Sequence, residues 1–131
     1  MAITGSKRLT GKKTIGVWLK RKYIDKKTKE QIETIAAKMS KVERFRESIS
    51  EHAKEMKEIR SGQDRLRDNL QALGSTTEEA KLRERYVSAL DGQETRLAEL
   101  QAAIDKDKAA RAKVEKEAAK AVKALKFSAM F

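Results

Sequence analysis

The chain has 131 residues, with 31 Lys and Arg against 20 Asp and Glu, one His, no Cys and no Pro, for a net charge of +11. Without Cys there is no disulfide framework, thiolate metal site or Cys nucleophile, and one His excludes a multi-histidine metal site. With 39% charged and 5% aromatic residues, little apolar material remains for a single large core.

Residues 1–13 are short, polar and basic, with Gly5, Gly11, Lys12 and Lys13, and read as a weakly ordered arm. Ile15, Val17 and Leu19 then alternate with Gly16, Trp18 and Lys20, a two-residue period that predicts a short strand over 14–24. A lone strand needs a partner edge. It would pair with another copy, pair with another protein, stay unpaired, or be the last strand of a sheet in a longer parent.

Residues 17–61 and 93–131 contain neither Gly nor Pro and are dominated by Ala, Glu, Lys, Leu and Arg, the composition of long helices or coiled coil. The first helix is expected from Asp25. Asp25 and Thr28 are candidate N-caps, and Gln31 completes a capping box with Thr28. Its apolar stripe runs Ile32, Ile35, Met39, Val42, Phe45, Ile49, Met56, Ile59, Leu66, Leu70, Leu73, with His52 and Gln63 in phase in the gaps. Two successive steps of three around Val42 and Phe45 look like a stammer.

Gly74 follows the last stripe residue, where a left-handed C′ glycine ends a helix. Ser75…Glu78 and Thr76…Glu79 each fit a capping box that restarts one. The second stripe is Leu82, Tyr86, Leu90, Leu97, Leu100, Ile104, Val114, Ala118, Ala121, Leu125, with Gln93, Asp107 and Arg111 at in-phase positions. Two helices of matched length around so short a loop must fold back on each other. The predicted fold is all-α: a long antiparallel two-helix hairpin over 25–127, turning at 74–76, behind a basic arm with its strand at 1–24 and before a tail at 128–131. Pairing outward from the turn sets Ile59 near Leu90, Ile49 near Leu100 and Phe45 near Ile104. It brings Val42 and Met39 to Asp107 and Arg111.

The charge is uneven. Residues 1–29 carry +9, residues 30–105 carry −3 and residues 106–131 carry +5. An antiparallel hairpin puts both basic segments at its open end. Trp18 and Tyr23 stand there among Lys20, Arg21, Lys22, Lys26 and Lys27. With Lys12 and Lys13 these make a candidate anion or nucleic-acid contact, cations for phosphates and rings for bases; a packed strand with a solvated lysine face is the plainer reading. Val122, Leu125, Met130 and Phe131 beside Lys120, Lys123 and Lys126 form a basic amphipathic end, either membrane-surface or the last coiled-coil turns. Chemistry needs convergent polar groups in a cavity. No phosphate loop, nucleophile motif or His–acid spacing is present, so neither catalytic residues, metal ligands nor cofactors are assigned. His52 reads as a seam residue. No apolar run reaches membrane-spanning length, and no apolar leader opens the chain; as written it is expected to stay in the cytoplasm.

Around the turn, Ile59…Gln63-Asp64-Arg65-Leu66-Arg67-Asp68-Asn69-Leu70…Leu73-Gly74 and Glu78-Glu79…Leu82…Arg85-Tyr86-Val87…Leu90…Gln93-Glu94…Arg96-Leu97 resemble the C-terminal coiled-coil part of the mucoidy-inhibitor-like family of uncharacterised bacterial envelope proteins. Tyr23-Ile24-Asp25 fits the same pattern. The resemblance covers roughly residues 15–125. It implies a secreted or periplasmic binding or structural protein with a β-domain ahead of the hairpin, and it brings no catalytic residues. On this reading the chain is expected to lack that β-domain and a signal peptide, and so to be a stand-alone hairpin, a truncated product or a fragment; the orphan strand suits a fragment. Gln63, Asn69, Gly74, Arg85 and Tyr86 at the tip would fix the register of the two helices or form a docking surface. The expected function is a non-enzymatic coiled-coil structural or protein–protein interaction element, with a protein partner or a second copy of itself. The alternative is a nucleic-acid-binding accessory protein working through the basic open end.

Overall fold

The computed structural model describes residues 26–129, with side chains through Phe127. The arm, the strand at 14–24 and the last two residues of the tail lie outside the described residues. Within them the fold is the all-α helical hairpin: α1 spans Lys26–Ala72 and α2 spans Thr77–Ala129. α1 ends at Ala72 and α2 starts at Thr77, each one residue from the turn-side boundary read from the sequence. Uninterrupted helix-forming composition explains their length, and the packing of one apolar stripe on another explains their stability.

The chain divides into two compact units, one made of residues 45–109 and the other of the remainder. In the first, Met56, Leu100 and Ile104 are buried together, with Ile49, Ile59 and Leu97 packed against them. Leu100 is the deepest, 1% exposed. In the second, Ile32 and Ile35 are buried, while Val114, Ala118, Ala121 and Leu125 are half-buried. Every stripe position of α2 is buried or half-buried, and so is every stripe position of α1 except Met39, which is 55% exposed. Lys38 takes its place. That side chain is half-buried and its Nζ lies 3.2 Å from Glu117 Oε1. A lysine stem covers apolar surface while its ammonium reaches solvent. With Lys38 in the row, the succession of three-residue steps falls at Ile32, Ile35 and Lys38, not at Val42 and Phe45.

The pairing differs from symmetric pairing about the turn. Met56, not Ile49, shares the deepest packing with Leu100, and Ile59 meets the same cluster as Leu97. Ser48, not Val42, takes Asp107. Lys38 finds Glu117, and Arg111 lies 3.7 Å from Glu115. The offset is about one heptad. A shift of that size keeps every apolar position facing the seam, so periodicity alone is blind to it.

Two substitutions test this packing by thermal or urea melts. Leu100→Ala should destabilise by about 2–3 kcal/mol, the lower part of the range for a buried Leu because a thin seam can partly collapse. Gly92 lies inside α2, and an added Cβ there meets nothing within 4 Å. Gly92→Ala should therefore stabilise by about 0.8 kcal/mol through helix propensity.

Candidate functional site

Three groups of polar side chains in the 45–109 unit link the two helices or close the turn. At the turn, Thr76 caps α2. Its Oγ1 accepts the Glu79 N–H at 3.1 Å and donates to Glu79 Oε1 at 2.8 Å. Glu79 in return accepts the backbone N–H of Thr76 at 3.3 Å and of Gly74 at 2.7 Å. Of the two capping boxes the sequence offered, the Thr76 one forms. Gly74 does not take a left-handed backbone. Glycine serves there by close approach, since a Cβ would stand 2.9 Å from Glu79 Oε1. Arg83 Nη2 closes the other side, donating to the carbonyls of Gly74 at 2.9 Å and Leu73 at 3.4 Å. These carbonyls have no partner in the helix.

The second group lies along the seam. Gln63 is buried, and its Nε2 donates to Glu94 Oε1 at 2.9 Å. Arg67 lies 3.9 Å from the same oxygen and 3.5 Å from Asp64. These residues line an open groove with Met56, Leu97 and Gln101. Gln93 Oε1 is also buried, and no described residue donates to it. Glu55 takes a two-pronged contact from Arg96, at 2.8 and 3.1 Å. Hydrogen bonding to Arg96 lowers the Glu55 pKa, and the same contact raises that of Arg96.

The third group joins Ser48, His52 and Asp107. The Ser48 hydroxyl donates to Asp107 Oδ2 at 2.6 Å and stands 3.3 Å from His52 Nε2, while His52 Nε2 is 4.0 Å from Asp107 Oδ2. These are the residue types of a hydrolase triad in another order. In a triad the histidine receives the serine proton and the acid orients the histidine. Here the serine proton points to the acid, and the contact ties the two helices together.

The tip residues named from the sequence are not gathered into one cluster. Gln63 and Gly74 are hydrogen-bonded, Asn69 and Arg85 are exposed, and Tyr86 is half-buried in the stripe of α2. Gln63 reaches Glu94, eight positions beyond Tyr86, roughly 12 Å along the helix. Arg83, two positions before Arg85, reaches the turn. Its signal was its place four residues after the capping Glu79. Ser48 carries no signal of its own in the sequence, since it lies one position off the apolar stripe. Of the candidate anion contacts, Lys26 and Lys27 are exposed at the start of α1; Lys12, Lys13, Trp18, Lys20, Arg21, Lys22 and Tyr23 lie outside the described residues. Among the described residues no group of three His, Asp or Glu side chains is disposed to hold a metal, and no helix is long and apolar enough to cross a membrane. The chain matches no protein family, no curated protein and no solved structure.

The capping contacts make the turn sensitive to acid. Hydrogen bonds from Gly74 and Thr76 lower the Glu79 pKa. Its contribution is present above the ordinary glutamate value, about 4.3, and is lost as pH falls through the lowered value in the folded chain. Protection of the Gly74 and Thr76 amides, the exchange rate taken relative to the intrinsic rate at each pH, should fall over that window in the wild type. Glu79→Gln should remove this carboxylate titration from the exchange profile.

Proposed function

We propose that the chain is a non-enzymatic structural or protein–protein interaction element that acts by associating with a second copy of itself. The observation that carries this reading is the half-covered seam. Leu66, Leu70, Leu82, Leu90, Leu97, Ile49 and Ile59 are all only partly buried within the 45–109 unit. Covering the rest would contribute about 25 cal/mol for each Å² of apolar surface removed from water. The polar residues support the reading too. Ser48, Gln63, Glu55, Glu79, Arg83, Arg96 and Asp107 are engaged in bonds between helices or around the turn, a use that holds a scaffold in register. On the resemblance noted above, such a hairpin is the helical module of a larger β-plus-coiled-coil protein.

Light scattering after gel filtration, run over a wide concentration range beside thermal melts, tests the proposal. A dimer or higher oligomer whose midpoint rises with concentration is the expected result. A monomer at every concentration, melting cooperatively at a constant midpoint, would refute self-association.

A further inference from the structure

Residues 110–127 hold six basic side chains and two acidic ones. Both acids are already occupied: Glu115 lies 3.7 Å from Arg111, and Glu117 lies 3.2 Å from Lys38. Lys113, Lys116, Lys120 and Lys123 follow at steps of three, four and three, which sets them on one face of α2. All four are exposed. The apolar positions of the same stretch, Val114, Ala118, Ala121 and Leu125, are half-buried, and at 100° per residue they lie on the opposite side of the helix. Among the described residues none of the four lysines has an acidic partner.

We propose that this ridge binds the phosphate backbone of nucleic acid without reading its sequence. From Lys113 to Lys123 it runs roughly 15 Å, against a duplex that carries one negative charge per about 1.7 Å of its axis. Four like charges held in line on a rigid helix face repel one another, and a polyanion relieves that repulsion while releasing its own counterions. Lysine is a point charge on a flexible stem. It suits phosphate contacts that position a protein and lacks the planar fork that reads base edges. An anionic membrane fits less well. A helix lying in a bilayer interface must put its apolar face into lipid, and here the apolar positions turn away from the lysines and are already half-buried. The ridge is separate from the seam, so this proposal does not depend on self-association.

Fluorescence anisotropy of the full chain with a short mixed-sequence DNA duplex, over a salt series, tests it. Two quadruple variants are compared. One is Lys113→Gln, Lys116→Gln, Lys120→Gln and Lys123→Gln; the other changes Lys54, Lys57, Arg65 and Lys81, all exposed, to Gln. Glutamine is a good helix former, and circular dichroism checks that both stay folded. The ridge variant should bind at least about tenfold more weakly at low salt, and its slope of log K against log salt should be shallower by about 3–4. Near 0.1 M salt, where the Debye length is about 10 Å, the control should bind within about threefold of wild type, because charge lost farther than that from the ridge acts weakly. Equal losses in the two variants, a ridge variant that binds like wild type, or wild type that binds phosphatidylserine vesicles and not duplex would each overturn the proposal.

Discussion

A hairpin of two helices has only one line of contact, so very few side chains set how its halves meet. In the 45–109 unit that line is anchored where Leu100 packs with Met56 and Ile104. The polar contacts of the unit are compatible with this register alone. Ser48 reaches Asp107, Glu55 reaches Arg96 and Gln63 reaches Glu94. A one-heptad shift would move each partner roughly 10 Å along the axis and break all three contacts while leaving the apolar stripes matched. The apolar seam supplies most of the stability, and the polar pairs make one register better than its neighbours.

The turn works in the same direction. Glu79 binds the backbone of Gly74 and Thr76 while Arg83 binds the carbonyls of Leu73 and Gly74. Together they satisfy donors at the start of α2 and acceptors beside the end of α1, groups that helix geometry leaves open. Because the side chains that close the turn come from the first two turns of α2, the loop also biases how far that helix advances past α1. Capping and charge-assisted hydrogen bonds of this kind contribute on the order of 1 kcal/mol each. Their effect here is also geometric.

Polar residues inside the seam carry a cost. The buried Gln63 and the Gln93 oxygen with no described donor occupy places where leucine would bury more apolar surface. Polar groups at such positions in coiled coils specify register or partner at the expense of stability. That fits a scaffold whose pairing matters more than its melting temperature. It also leaves the solvent faces free, and the exposed lysines from Lys113 to Lys123 lie on one of them.

The sequence by itself determined both helices, the place of the turn between them and nearly the whole set of seam positions. These depend on local chemistry: composition without Pro and with a single Gly in each helix, a stripe at steps of three and four, and the turn at Gly74. Only the tertiary structure decided the register, because a heptad pattern looks the same after a shift of seven residues. That choice replaced Arg85 with Arg83 at the turn. It also brought Ser48, one position off the stripe, to Asp107. Met39 gave way to Lys38 for a related reason. Apolar character favours methionine in a seam, but only the facing helix reveals that a carboxylate, Glu117, waits for the lysine.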